Sequence, residues 1–319
     1  MRAFIWIGHC NGGHELRDLE FARYAQKKGI EVTLGMFKFD PLLNFEQKVF
    51  KPFFPKKLQG LNNLHIAKKI SSSFLDQFDF VFGRFKNKTK AFKVFRVAGD
   101  LDKTWIPSKK SRMLYNYIKK REEKFLKDYD LVFGCNNDAM SYLLRKGIKC
   151  EKSSNFVDIN IFDIKNQKKV TDVLFVGRND RIKNFNALKL ACEELNLRLV
   201  AIGCDDWISQ NKLSYYYNAT RLVVLPSFYE TFGNVVLESL ASATPVLCSK
   251  SVTAARELLP YVYVCDTDKE SIKKKITEIL GDYGSALKKA LDGYHFVRQN
   301  LSSEKILAHE ISCIVSRIS

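Results

Sequence analysis

The sequence predicts an α/β protein of two domains, each a parallel β-sheet flanked by helices. Three observations support this prediction. The chain has 319 residues, which exceeds one typical domain. Its hydrophobic fraction of 46% is ample for two cores. Short apolar runs alternate with helical patterns in both halves, as in βαβ units. We place the boundary near residue 158, which gives domains of 1–157 and 158–319.

The first half opens with a strand, a helix and a second strand. The apolar run AFIWIG (3–8) precedes a Gly-containing loop, the helical stretch ELRDLEFARYAQKKG and the strand EVTLGMF. Further strands are predicted at FDFVFG (78–83), KVFRVAG (93–99) and LVFGC, and SRMLYNYIKKREEKFLKDYD is typical of an amphipathic helix. The stretch SNFVDINIF (154–162) has no clear period, so we expect it to cross between the domains.

The second half repeats the alternation. The predicted strands are DVLFVG (172–177), LRLVAIG (197–203), RLVVLP (221–226), PVLCS (245–249) and YVYVC (261–265). The predicted helices are FNALKLACEEL, the segment 233–243 and SIKKKITEIL, and the tail 284–319 has a helical pattern throughout. We expect the C-terminal helix to pack back on the first domain.

The composition argues against several classes of protein. No stretch approaches about 18 consecutive apolar residues, so no membrane span is predicted. The N-terminal AFIWI is short and lacks a cleavage site, which favours a first strand over a signal peptide. Eight cysteines are scattered without a CxxC pair, which favours reduced thiols in a cytoplasmic protein over disulfides or a zinc site. Neither a metal site nor a cofactor is predicted.

The charge is concentrated in the first half. The net charge is +17, and residues 1–160 hold 31 Lys and Arg against 17 Asp and Glu, whereas 161–319 hold 21 against 18. Such a basic field attracts phosphates on nucleic acid, anionic lipid or a phosphorylated substrate. Since no aromatic RNP strand or helix-turn-helix pattern is present, a nucleic-acid partner is not expected, although the charge alone would permit one.

Two glutamates flank the start of the helix in PSFYETFGNVVLESLASATPV (226–246). Glu230 follows a predicted strand, where ligands bind in open parallel sheets. Thr231, Asn234 and Glu238 have the spacing i, i+3, i+7, which predicts one helix face pointing toward the crevice. Each carboxylate could hold a pair of sugar or ribose hydroxyls. Taken alone, a capping role for Glu230 and a solvated Glu238 would be the better interpretation.

A second pattern supplies cations. FVGRNDRIKNFNALKLA (175–191) places Arg178 at a strand end and Lys183 just before a helix, where a diphosphate would be favoured. Backbone amides around Phe232 and Gly233 would add donors at the other helix start.

The N-terminal loop GHCNGGHELR contains a glycine pair, Gly12 and Gly13, which would let the backbone approach a phosphate or sugar closely. The pair is by itself more often just a turn. His14 in the same loop is a candidate polar group on the acceptor side.

Together these stretches resemble the family 4 retaining glycosyltransferases of GT-B fold. The family has a GG loop after the first strand, a GR…KG phosphate clamp and an E-x7-E element of the form PSxxExFGxxxxEAxAxGxPV. The resemblance implies two Rossmann-like domains facing each other across a cleft. It also implies Arg178 and Lys183 on the donor diphosphate, Glu230 on the donor sugar, Glu238 on the ribose and Gly13 beside the phosphates.

Three positions depart from that pattern. Asn184 follows Lys183 where the family has glycine, and Ala243 replaces a glycine before Thr244, which we expect packing to tolerate. Many members have a histidine-aspartate pair after the fourth strand of the first domain. Here the stretch is RVAGDLDK, which lacks the histidine and leaves Asp100 as a candidate on the acceptor side.

The resemblance implies metal-independent transfer from a nucleoside-diphosphate sugar to a glycan or lipid-linked acceptor with retention of configuration, for example in cell-envelope synthesis. The alternatives are a basic nucleic-acid-binding protein, a catalytically inactive sugar-nucleotide-binding module and, more distantly, an epimerase of the same fold. Donor hydrolysis would separate the enzyme from the first two.

Two basic stretches suggest a membrane surface as a further partner. KFDPLLNFEQKVFKPFFPKK (38–57) mixes aromatic residues and leucines with lysines, and 108–127 is a basic amphipathic helix. They could seat the first domain on an anionic inner leaflet. Alternatively, Phe45, Phe50, Phe53 and Phe54 pack into the first core and the lysines only solvate it.

Overall fold

The computed structural model describes residues 1–8, 13–52, 65–66, 68–103, 109–204 and 208–318. The first sheet contains seven strands: β1 (Arg2–Gly8), β2 (Glu31–Met36), β3 (Glu46–Val49), β4 (Phe80–Phe82), β5 (Phe92–Val97), β6 (Leu131–Gly134) and β7 (Glu151–Lys152). Its helices are α1 (Gly13–Lys27), α2 (Ser72–Leu75), α3 (Lys109–Leu126) and α4 (Asn137–Arg145).

The second sheet contains five strands: β8 (Thr171–Val176), β9 (Leu199–Ile202), β10 (Thr220–Leu225), β11 (Val246–Ser249) and β12 (Tyr263–Cys265). Its helices are α5 (Phe185–Glu194), α6 (Gln210–Ala219), α7 (Asn234–Ala241), α8 (Thr253–Glu257) and α9 (Lys269–Gly281), with a 3-10 turn at Leu259–Tyr261. Two more helices, α10 (Tyr283–Asn300) and α11 (Ser303–Ile318), complete the described chain. Among these helices, none has the length and apolarity that crossing a bilayer demands.

Both sheets are parallel and doubly wound. The first has the order β3-β2-β1-β4-β5-β6-β7 and the second β12-β11-β10-β8-β9. In each, the strand order reverses at one point, between β1 and β4 and between β8 and β10. Ligands of open α/β sheets bind outside the carboxyl ends of the strands at such a point. The prediction of two parallel α/β units is confirmed.

The buried centre of each sheet follows from its sequence. In β1 every residue from Ala3 to Gly8 is buried, and in β10 so are Leu222–Leu225. Strands covered by helices on both faces are continuous apolar runs, which explains why their positions could be predicted.

The tail is not helical throughout, as the sequence had suggested. A break at 301–302 separates α10 from α11, because Leu301 and Ser302 pair with the crossover. The Val157 amide donates to the Leu301 carbonyl at 3.0 Å, and Ser303 donates back to the Val157 carbonyl at 2.9 Å. The break redirects α11 onto the first domain, where Leu307, Ile311 and Ile314 join the core beneath α1.

Ala243 occupies a position that favours glycine for a reason other than packing. Its φ is 47°, in the left-handed region that costs a residue with a Cβ on the order of 1 kcal/mol. The turn reverses the chain from α7 into β11, and the Thr244 amide bonds the Ser239 carbonyl at 2.9 Å. The cost of the substitution therefore lies in the backbone.

Candidate active site

The candidate site lies at the reversal point of the second sheet. The loop after β8 (177–184) carries the predicted cations, and the loop after β10 (226–233) carries Glu230. The two loops are joined directly, because the Phe228 amide donates to the Ile182 carbonyl at 2.8 Å. Asp180 shapes the first loop by accepting the amides of Ile182 and Lys183, each at 3.1 Å.

Lys183 and Glu230 form an ion pair across these loops. The Lys183 Nζ contacts Glu230 Oε1, which also accepts the Ser227 hydroxyl at 3.0 Å. Both side chains are largely buried, with exposed fractions of 19% and 16%. Arg178 is 67% exposed and pairs with Asp180 at 3.0 Å. Each cation therefore already has a carboxylate partner. A diphosphate would either displace that carboxylate or bind the cation beside it.

Asn184 shows why this position favours glycine. It is the N-cap of α5 and has φ 55° and ψ 32°, a left-handed conformation in which asparagine is tolerated better than most residues. Its side-chain amide donates to the carbonyls of Pro226 (3.2 Å) and Thr267 (2.7 Å). Asn184 thus holds the Lys183 loop against the loop after β10, a contact that glycine could not make.

Glu238 lies one helical turn into α7 and is oriented by a residue that no motif indicated. The Tyr217 hydroxyl, on α6, donates to Glu238 Oε2 at 2.6 Å. Burial raises the pKa of Glu238, and the hydrogen bond from Tyr217 offsets only part of this shift. One carboxylate oxygen is therefore fixed by the protein, and Glu238 lines a cavity between the domains.

That cavity has a volume of about 410 Å³. One wall comes from α1 of the first domain and the crossover, and the other from the start of α6 and α7. The residues that line it on the second domain are Ile208, Ser209, Gln210, Asn234 and Glu238. Asn234 and Glu238 share a face of α7, as predicted.

Thr231 does not share that face, because α7 begins only at Asn234. The carbonyl of Thr231 instead accepts Asn136 Nδ2 of the first domain at 2.9 Å. Gly233 is the left-handed N-cap of α7 with φ 99°, and a Cβ there would lie 2.8 Å from Val252. The Phe232 side chain is buried in the core, so only its backbone could meet a ligand.

The structure describes only the last part of the glycine loop of the first domain. Gly12 lies outside the described residues, and Gly13 is the first residue of α1. His14 is the second residue of α1, but its side chain is not among those described. The helix they begin does border the cavity, through Leu16 and Arg17.

Asp100 is buried and already paired. Its carboxylate accepts Arg145 Nη2 at 2.8 Å and lies 3.7 Å from Lys103 Nζ. It borders a second cavity of about 230 Å³, which Thr231 also lines. Asp100 therefore faces the cleft, but its negative charge is balanced by Arg145 and Lys103 of its own domain. Within the described residues, no three His, Cys, Asp or Glu side chains are grouped as a metal site requires.

Comparisons with known proteins bear on the fold and on part of the second domain. Residues 206–292 match the family model of glycosyl transferases group 1. An uncharacterized glycosyltransferase of Methanocaldococcus jannaschii is 28% identical over 134 residues, which cover 38% of this chain and 33% of the relative. The match thus spans about a third of that relative's length.

Solved structures resemble the chain over nearly its full length. Sucrose-phosphate synthase of Thermosynechococcus elongatus has a TM-score of 0.81 at 16% identity, covering 99% of this chain and 98% of that one. Anabaena HepE in complex with UDP and glucose has a TM-score of 0.77 at 14% identity, covering 99% and 100%. The chain therefore has a GT-B fold, and residues 206–292 are similar in sequence to the glycosyl transferases group 1 family.

Proposed function

We propose that the chain is a retaining glycosyltransferase that moves a sugar from a nucleoside-diphosphate sugar to a hydroxyl of a glycan or lipid-linked acceptor. Arg178 and Lys183 bind the diphosphate, Glu230 the donor sugar and Glu238 the ribose. The resemblance adds the backbone of the glycine pair beside the phosphates, of which Gly13 at the start of α1 is described and Gly12 is not. The roles of these residues rest on the resemblance and on where the structure places them.

The observation that carries the proposal is the Lys183–Glu230 pair at the reversal point of the second sheet. A largely buried ammonium and carboxylate suit the two groups of the reacting centre: a diphosphate that gains negative charge and a sugar whose hydroxyls donate hydrogen bonds. Glu238 borders the adjacent cavity with one oxygen held by Tyr217. The site therefore offers cations and hydroxyl acceptors side by side.

In the proposed reaction, the bond between the anomeric carbon and the β-phosphate oxygen breaks as the acceptor oxygen bonds to the same face of that carbon. The acceptor hydroxyl gives its proton to the departing phosphate. Arg178 and Lys183 neutralise the charge that develops on the leaving group, which is where preorganised charges contribute most. Asp100 is not assigned a proton-transfer role, since Arg145 and Lys103 already hold its carboxylate.

The proposal is tested by incubating the protein with UDP-, GDP- and ADP-sugars and measuring release of the nucleoside diphosphate. UDP-glucose and its relatives come first, because HepE was solved with UDP and glucose. Thermal shifts with the free nucleotides give binding separately. Binding without hydrolysis or transfer would favour the inactive module, and salt-dependent DNA binding without either would favour the nucleic-acid-binding alternative.

Glu238→Gln should weaken the binding of the free nucleoside diphosphate with a smaller effect on turnover at saturation. The amide keeps the size of the side chain, but it replaces a charged acceptor of ribose hydroxyls with a neutral one, which typically loses roughly tenfold in affinity. Calorimetric titration of wild type and variant measures this. Equal dissociation constants would contradict the ribose role.

The acceptor is proposed to be membrane-borne. Phe45 and Phe50 pack into the first domain, as the alternative expected, and Phe53 and Phe54 lie outside the described residues. Other apolar side chains of the same two stretches are strongly exposed: Phe39, Leu42, Met113 and Tyr117. They belong to the loop after β2 and to the first half of α3. In this half of α3, the Tyr115 hydroxyl donates to the Leu101 carbonyl in the loop after β5.

These exposed side chains lie near the cleft edge of the first sheet. β2 and β5 are parallel members of the sheet, so the loops that follow them leave at the same edge. The same two stretches carry exposed lysines and arginines, among them Lys38, Lys48, Arg112 and Lys120. A surface with basic and apolar groups beside the cleft suits an anionic leaflet that presents a lipid-linked acceptor.

Co-sedimentation with vesicles tests this surface. We expect binding to anionic vesicles but not to neutral ones, and loss of binding as salt rises, since each Lys or Arg near the surface contributes about 1 kcal/mol. Leu42→Ser and Met113→Ser should each weaken binding, whereas Leu259→Ser, an exposed leucine on the second domain, should not. Failure to bind anionic vesicles at low salt would reject the surface and favour a soluble acceptor.

A further inference from the structure

The first turn of α4 reaches across the cleft to the second domain. Asn136 is the N-cap of this helix and accepts the Ala139 amide at 2.8 Å through Oδ1. Its Nδ2 donates to the Ala98 carbonyl at 2.5 Å and to the Thr231 carbonyl at 2.9 Å. Both amide protons and one acceptor site of Asn136 are therefore used, two within the first domain and one across the cleft.

The next two residues continue the contact. The Asn137 amide, unpaired within its helix, donates to Glu257 Oε1 of α8 at 2.7 Å. Asp138 accepts Arg256 Nη2, and the Thr253 hydroxyl lies 3.2 Å from its Oδ2. A carboxylate at a helix N-terminus is electrostatically favourable, so Glu257 from the second domain stabilises the start of a helix of the first.

These contacts converge on the loop that carries Glu230. Thr231 follows Glu230 directly, and the Thr253 hydroxyl lies 3.2 Å from the Glu230 carbonyl as well as from Asp138. A Cβ on Gly99 would lie 3.3 Å from the Thr231 side chain, so the first domain is in close contact with this loop. The loop after β10 is thus held in part by two groups of the first domain, the Asn136 amide and the backbone at Gly99.

We infer that the first turn of α4 is a clamp between the domains, in which Asn136 and Asp138 are positioning residues that hold the Glu230 loop when the cleft closes. The inference rests on the proposed function for the role of Glu230. The clamp requires asparagine at position 136. Serine or aspartate could cap the helix equally well, but neither offers two amide protons for carbonyls of two domains.

The test uses Asn136→Ser, which keeps the helix cap, and Asp138→Asn, which weakens the pair with Arg256. Amide hydrogen exchange of peptides covering 227–233 is the readout that does not depend on activity. We expect this segment to exchange about tenfold faster in each variant, since losing one hydrogen bond shifts a local opening equilibrium by about that factor. Asp128→Asn, an exposed aspartate after α3, is the matched control and should exchange like wild type.

Kinetics separate a positioning role from a merely structural one. Both variants should lower kcat for donor hydrolysis or transfer about tenfold while the dissociation constant of the free nucleoside diphosphate stays within twofold of wild type. Unchanged exchange in 227–233 would overturn the clamp, and faster exchange with unchanged kcat would overturn the positioning role. If wild type turns over no nucleotide sugar, the proposed function fails, while the exchange experiment still decides the clamp.

Discussion

Replacing Lys183 with alanine should lower turnover of the nucleotide sugar by about 10²–10³-fold, the usual effect of removing one charged donor from a leaving group. The Lys183 ammonium is held by Glu230 and by the loop that Asn184 anchors, so under the proposed function it is already positioned where the diphosphate would bind. Arg178→Ala should also lower turnover. Steady-state release of the nucleoside diphosphate measures both.

Lys189→Ala is the matched control, since Lys189 is an exposed lysine on α5 that pairs only loosely with Glu193, at 3.9 Å. Its turnover should equal that of wild type. Because Lys183 contacts Glu230, the effects of Lys183→Ala and Glu230→Gln should not add in the double variant. Near-native turnover in both Lys183→Ala and Arg178→Ala would show that the diphosphate binds elsewhere.

The parts of the fold that the sequence predicted are those determined locally. Central strands such as β1 and β10 are continuous apolar runs and were located within two residues. The edge strands β3 (EQKV) and β7 (EK) are short and polar, and only pairing with β2 and β6 defines them. Helix α6 was also missed, since half of the residues in QNKLSYYYNA are polar and its buried face is set by the neighbouring sheet.

The same distinction applies to the site. Glu230 and Glu238 lie within one short motif, and Arg178 and Lys183 lie within a second motif. Sequence patterns could therefore identify all four residues. Tyr217 reaches Glu238 across 21 residues of sequence, and Asn136 reaches Thr231 across 95. No local pattern marks such residues, because their partners are chosen by the packing of helices and domains.

Glu310→Gln should lower the free energy of unfolding by about 3–5 kcal/mol, the cost of leaving buried charge without its partner. Glu310 lies on α11 and is fully buried, where it bonds Arg17 Nη2 at 3.1 Å and Arg96 Nε at 3.2 Å. The Ser153 hydroxyl also donates to it. Glutamine keeps the shape but leaves two buried guanidiniums with one remaining carboxylate, that of Asp18.

Thermal and denaturant unfolding measure this loss. At about 2–4 °C per kcal/mol for domains of this size, the midpoint should fall by roughly 10 °C. Glu304→Gln makes the same change on the exposed side of α11 and should leave the midpoint near that of wild type. Limited proteolysis should then cleave the C-terminal helix of Glu310→Gln first, because this helix holds its place on α1 through the same network.

The pH dependence gives an independent check. Burial alone would raise the pKa of Glu310, but the Arg96 and Arg17 guanidiniums outweigh burial and hold the pKa below its usual value. A carboxyl with a depressed pKa in the folded state stabilises above its unfolded pKa and loses that contribution as pH falls through the folded value. The difference in the free energy of unfolding between wild type and Glu310→Gln should therefore be largest near pH 7 and shrink below about pH 4. If this difference is absent at pH 7, or grows as pH falls, the buried pairs do not hold α11 in place.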